Sequence, residues 1–127
     1  MNKKRGSDAE RELLHLLSQK GFSVARVAGS GMISETACDL FAGNGKKKYA
    51  VEVKISSNSK KYLKKEQISE LTKFAKNFGL NPVVAIKFLR KGWWFIHPDK
   101  LDKTEKGLVI SFDDIRKRGK SFEKFVR

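Results

Sequence analysis

Cys38-Asp39-Leu40-Phe41-Ala42-Gly43-Asn44-Gly45-Lys46-Lys47-Lys48-Tyr49-Ala50-Val51-Glu52-Val53-Lys54-Ile55-Ser56 reads as two strands joined by a tight turn. Asn-Gly is a strong short-range hairpin signal, because both residues accept the positive φ that such turns need. Strands over about 38–42 and 47–56 follow. Side chains alternate along a strand, so Val51, Val53 and Ile55 point one way and Glu52 and Lys54 the other. A two-residue turn pairs Gly43 with Lys46 and sets Asp39 opposite Ala50. Glu52 is then the diagonal neighbour of Asp39 on the same face, with Cβ atoms roughly 7–8 Å apart. A slip of one residue would send the two acids to opposite faces, so the register decides whether they meet.

Outward from this hairpin the pattern is of alternating helices and strands. Ser7 offers an N-cap with Glu10 three places on, as in a capping box, and Leu13, Leu16 and Leu17 follow at helical spacing. This predicts a helix over about 8–20, stopped at Gly21, after a basic arm over 1–6. Phe22, Val24 and Val27 suggest a strand, and Gly29-Ser30-Gly31 opens a loop to about Thr36. Ser56 to Ser59 is a polar loop. A helix over about 65–78 carries the stripe Ile68, Leu71, Ala75 and Phe78, with Phe74 beside it. Val83-Val84-Ala85-Ile86 suits a buried strand, and Trp93 to Ile96 returns beside it. Beyond Pro98 the pattern weakens to a strand at Leu108-Val109-Ile110 and a short helix capped by Ser111. The expectation is an α/β fold in one domain over 1–127, with a central mixed sheet flanked by helices.

The chain has 28 Lys and Arg against 14 Asp and Glu, a formal charge of +14. A domain so basic repels itself unless it binds something anionic, which means nucleic acid or an anionic membrane surface. No apolar run is long enough to span a bilayer and none marks a signal peptide. The expected setting is therefore cytoplasmic, without membrane contact. Cys38 is the single cysteine, so no internal disulfide or cysteine-rich zinc site can form, and a metal would be held by oxygen, with His15 or His97 as the available imidazoles.

The acids then gain a meaning. Two carboxylates on one face form a hard oxygen site for Mg²⁺. Such an ion polarises a phosphodiester and activates water, and a lysine beside it orients that water or offsets charge on the phosphate. From local sequence alone Glu10 also reads as a capping acid, and Asp39 and Glu52 as partners of surface lysines. Lys46-Lys47-Lys48, Lys60-Lys61 and Lys64-Lys65 read as phosphate contacts in so cationic a chain, with Tyr62 placed among them to pack on a sugar or base.

Asp39 followed by Val51-Glu52-Val53-Lys54 resembles the PD-(D/E)XK nuclease motif, with Cys38 where its proline would stand. With the flanks Arg5-Gly6-Ser7, Ala9-Glu10-Arg11-Glu12-Leu13-Leu14, Lys20-Gly21-Phe22 and Arg26-Val27-Ala28-Gly29-Ser30, the chain over roughly 3–96 resembles the archaeal Holliday junction resolvases. The resemblance implies a restriction-endonuclease-like fold and a homodimer that nicks four-way DNA junctions in pairs, using Mg²⁺ or Mn²⁺, in recombination and repair. It implies a catalytic set of Glu10, Asp39, Glu52, Lys54 and the loop residue Ser30, with Glu10, Asp39 and Glu52 as metal ligands. It also implies that Arg11 and Arg26 serve DNA binding or catalysis, and that Gln67 lies where such nucleases carry a site glutamine. With the basic residues Lys3, Lys4, Arg5, Lys60, Lys61 and Lys64, and with Tyr62, these make up the expected DNA contacts. The alternatives are a restriction-like or repair endonuclease of the same superfamily, or a non-catalytic basic DNA-binding protein. A sliding clamp or helicase partner stays open, since the sequence does not say whether one binds.

Overall fold

The computed structural model describes residues 3–27 and 38–127. The helix α1 (Lys3–Ser18) leads into β1 (Ser23–Arg26), and β2 (Leu40–Gly43) and β3 (Lys48–Ser56) form the expected hairpin. Then come β4 (Lys60–Leu63), α2 (Lys65–Phe78), β5 (Asn81–Phe88) and β6 (Gly92–Ile96). The tail adds a 3₁₀ turn (Pro98–Lys100), β7 (Asp102–Lys103), β8 (Leu108–Ser111), α3 (Phe112–Arg118), β9 (Lys120–Ser121) and α4 (Phe122–Phe125).

The main sheet has the order β1-β2-β3-β5-β6-β9. Among the described strands of this sheet only the β3–β5 pair is parallel, and α2 lies in the long crossover that a parallel pair requires. β3 is therefore central, and its two faces carry different cargo. Val51 and Val53 face α1, packing with Ala9, Leu13 and Leu17. Ala50 belongs to the opposite layer, where α2 contributes Ile68, Leu71 and Ala75. Ile68, Leu71 and Ala75 recur at helical spacing, which is why this face of α2 is buried. Gly79 follows with φ +89°, taking the left-handed conformation that closes a helix and suits glycine.

Three expectations are corrected. First, the helix begins at Lys3, so the basic arm is for the most part its first turn and Ser7 lies inside it rather than capping it. Ser7 Oγ accepts instead from Arg26 Nη2 at 3.0 Å, and Glu10 Oε1 from Arg26 Nε at 2.7 Å. Second, Gly43 pairs with Lys48, not Lys46, because Asn44 Oδ1 accepts from the backbone N–H groups of Lys46 and Lys47 and shapes a longer loop. Third, a second sheet, β4-β8-β7, is present in addition to the central one, formed from the tail and the segment before α2. The tail helix α3 is capped by Ser111, whose Oγ accepts from Asp114 N at 3.0 Å, as the sequence predicts.

Leu71 is fully buried on the helix that brings Gln67 to β3. We expect Leu71→Ala to cost about 2–5 kcal/mol, the range for deleting a buried leucine side chain. Urea unfolding followed by circular dichroism measures the loss.

Candidate active site

The register correction moves the pairing by two residues, and strands have a period of two. The acids therefore stay on one face, and come closer. Leu40 pairs with Val51, and Asp39, just before β2, brings its side chain into hydrogen-bonding contact with that of Glu52. Asp39 is fixed by its backbone, its N–H donating to Val51 O at 2.8 Å and its carbonyl accepting from Val27 N at 2.9 Å. Its Oδ2 also accepts from Val53 N at 2.8 Å.

Glu52 is only 4% exposed. Gln67 Nε2 donates to Glu52 Oε2 at 2.8 Å, and Lys54 Nζ donates to Gln67 Oε1 at 2.8 Å. Lysine can only donate, so the Gln67 amide has one orientation that satisfies both neighbours. Lys54 Nζ also lies 3.4 Å from Glu52 Oε2. One glutamine on the first turns of α2 thus clamps the acid and the lysine of β3.

Burial pushes the Glu52 carboxyl up to about 8; the Asp39 charge adds to the rise, and Lys54 offsets part of it. The same burial, with the charges of Asp39 and Glu52 behind it, pushes the Cys38 thiol up to about 12. Glu10 is also raised, first by burial and then by Asp39, against the lowering effect of Arg26. It faces Asp39 electrostatically while bonded to Arg26. Among the described residues no group of three or more His, Cys, Asp or Glu side chains is gathered as a metal site. The convergence is of two acids, Asp39 and Glu52, with Glu10 held alongside by Arg26. His15 is exposed on α1, and His97 accepts from Asp99 N to cap the 3₁₀ turn.

The other expected residues fall in several places. Ser30 lies outside the described residues. Lys3 opens α1; Lys4 and Arg11 are exposed there, each within ion-pair reach of Asp8 at 3.8 and 4.0 Å. Arg26 is engaged with Glu10 and Ser7. Gln67 is turned inward, to the acid site. Arg5, Lys60, Lys61 and Tyr62 line one cleft, while Lys64 is exposed just before α2. Lys61 is lowered by burial and then by the charge of Lys54, which places the cleft near the acid site. The sequence reading passed over Glu12, whose carboxylate takes Lys87 Nζ at 2.6 Å and Trp93 Nε1 at 2.8 Å. No local signal marks it, because its partners lie far along the chain.

A mixed sheet with helices on both faces, and an acid pair plus lysine where the β2–β3 hairpin opens, defines a nuclease of the restriction-endonuclease-like fold. Residues 1–127 match the family model described as archaeal Holliday junction resolvase (Hjc), and the chain belongs to that family. The match includes the tail beyond residue 96, where the sequence alone shows little resemblance. Crossover junction endodeoxyribonuclease Hjc of Archaeoglobus fulgidus is 40% identical over 108 residues, covering 85% of this chain and 79% of that protein. The protein of the same name from Methanocaldococcus jannaschii is 37% identical over 129 residues, covering 94% and 92%. The solved structure of Archaeoglobus fulgidus Hjc, a Holliday junction resolvase, superposes with TM-score 0.88 at 34% identity, covering 96% of this chain and all of that one.

The Glu52 shift has a measurable consequence. Between the ordinary 4.5 and about 8, the folded chain keeps a proton that the unfolded chain has lost. The metal-free protein should therefore lose stability relative to Glu52→Gln as pH rises through that window. Urea midpoints of both proteins at about pH 5 and about pH 8.5, without divalent ions, check this.

Proposed function

We propose that this chain resolves four-way DNA junctions by paired, metal-dependent phosphodiester hydrolysis in recombination and repair. The observation that carries the reading is the opposed Asp39–Glu52 pair, in a chain of the archaeal Holliday junction resolvase family. Two acids facing each other in a buried place repel unless one keeps a proton or a cation lies between them. This donor set fits a divalent ion, Mg²⁺ with Mn²⁺ able to substitute, held by Asp39 and Glu52. Glu10 is a third ligand or a water-positioning acid once Arg26 turns toward DNA.

When bound, the ion supplies Lewis acidity and a lowered pKa for water. Lys54 stands beside the acid pair with its ammonium held by Gln67, so it can orient the attacking water or meet charge on the phosphate. Ser30 is proposed to approach the same site. Lys3, Lys4, Arg5, Arg11, Arg26, Lys60, Lys61 and Lys64 contact phosphates, and Tyr62 contacts the nucleotide. The net charge of +14 supports a polyanionic partner. No helix among the described residues is long and apolar enough to cross a membrane; a cytoplasmic setting fits the substrate.

Asp39→Asn and Glu52→Gln should each lower Mg²⁺-dependent cleavage of a synthetic four-way junction by about a hundredfold or more, the scale for a lost catalytic electrostatic contact. Junction binding in EDTA should stay within a few-fold of wild type. Near-normal cutting by either variant would remove that residue from the metal site.

Symmetric nicks need two sites, and a twofold dimer supplies them. The candidate contact is the ring cluster of Phe41, Phe74 and Phe78, with centroids 5.3–6.0 Å apart. Phe78 is 63% exposed. The strand β6 around Trp93 and Trp94 is already occupied within the chain: Trp93 is buried, Trp94 packs edge-on against Phe112, and β9 pairs along its edge. Sedimentation at micromolar concentration should give twice the mass of one chain, and Phe78→Asp should give a single-chain mass.

A further inference from the structure

Two clefts meet at the C-terminal end of β3. One, of about 240 Å³, is lined by Arg5, Asn58, Lys60, Lys61 and Tyr62 among others; the second, of about 220 Å³, by Arg5, Lys87 and Leu89 among others. Arg5 and Ile55 line both, so the two clefts adjoin and together make a groove. The shared Ile55 lies on the α1 side of β3, while Lys61 in the first cleft feels the charge of Lys54.

The charge along this groove is positive. Arg5, Lys60, Lys61 and Lys87 stand in it, against Asp8 and Glu12. Glu12 is already matched by Lys87 at 2.6 Å, and Asp8 lies within reach of Lys4 and Arg11. The cationic surplus suits a phosphate backbone.

A second feature of the groove is not explained by charge. Among the described residues the exposed large apolar side chains are Tyr62, Phe78 and Leu89. Phe78 belongs to the ring cluster of α2, and the other two both lie in this groove. Strand alternation explains the orientation of Tyr62. On β4, Leu63 turns into the core, which leaves Lys60 and Tyr62 outward. Tyr62 is 68% exposed, so its ring lies at the rim of a cationic cleft. An aromatic ring beside phosphate-binding cations is the arrangement that holds a nucleotide by stacking on its base.

In continuous duplex both faces of every base are covered by its neighbours, and only edges are offered in the grooves. Base faces become accessible where stacking breaks, which in a four-way junction is the branch point. We propose that Tyr62 stacks on a base exposed at the branch point, while Arg5 and Lys61 hold the phosphate beside it. The strand β4 then distinguishes an open junction from linear duplex, next to the acid site that cuts. This rests on the junction-resolving reading above.

The test measures affinity in EDTA, so that nothing is cut. Wild type, Tyr62→Phe and Tyr62→Ala are titrated against a labelled immobile four-way junction and against linear duplex containing the same sequence. Tyr62→Ala should weaken junction binding about five- to hundredfold, the scale of one lost base–aromatic stack, with duplex affinity changed less than twofold. Tyr62→Phe, which keeps the ring, should bind the junction like wild type. With 2-aminopurine beside the branch, wild type and Tyr62→Phe should change its fluorescence and Tyr62→Ala should not. Equal losses on both substrates, or no loss on either, would overturn the assignment of Tyr62. A wild-type protein that fails to prefer junction over duplex would instead overturn the junction reading, and this inference with it.

Discussion

The site depends on two carboxylates in contact, Asp39 just before β2 and Glu52 on β3. A buried carboxylate is costly unless it is bonded and its charge is offset. Glu52 meets that cost in three ways: it keeps its proton well above the ordinary range, it accepts from Gln67, and it lies beside Lys54. Asp39 is held differently: its N–H donates to Val51 O and its side-chain Oδ2 accepts from Val53 N, both on β3. One acid is held by a side-chain clamp and the other by bonds to the β3 backbone.

The helices on either face serve this pair in different ways. α2 crosses between the parallel strands β3 and β5, and so delivers Gln67 to the face that carries Glu52 and Lys54. α1 covers the opposite face with Ala9, Leu13 and Leu17, yet two of its acids reach around to the sheet. Glu10 takes Arg26 from β1, and Glu12 takes Lys87 from β5 and the Trp93 indole from β6. These partly buried bonds tie α1 to three strands. They also keep Glu10 poised next to Asp39, where its charge is felt but neutralised by Arg26.

The excess of cations is compatible with folding because much of it lies on exposed side chains, where water and salt screen the repulsion. Local acids temper it at a few points: Asp102 and Asp114 both bind Arg118, which joins the small sheet to α3. In the groove beside β3 the lining cations Arg5, Lys60, Lys61 and Lys87 outnumber the lining acids Asp8 and Glu12, a charge balance that suits a DNA backbone.

Alternation along 48–56 was enough to place Glu52 and Lys54 on one face, and helical spacing was enough to bound α2 at Lys65 and Phe78. The motif and its flanks were enough to point to the family and to the acids. These are short-range properties, written in adjacent residues. The length of the β2–β3 loop was not legible, since it turned on the Asn44 side chain bonding two backbone N–H groups. The acids survived that error because a two-residue shift preserves the face. β4 was missed because Lys60-Lys61-Tyr62-Leu63 shows little hydrophobic alternation, and its partner β8 lies far along the chain. The Gln67 clamp, the capture of Glu10 by Arg26 and the groove shared by Arg5 and Ile55 were likewise decided only by the tertiary structure. Each joins residues from different elements, and local sequence carries no information on which distant side chains will meet.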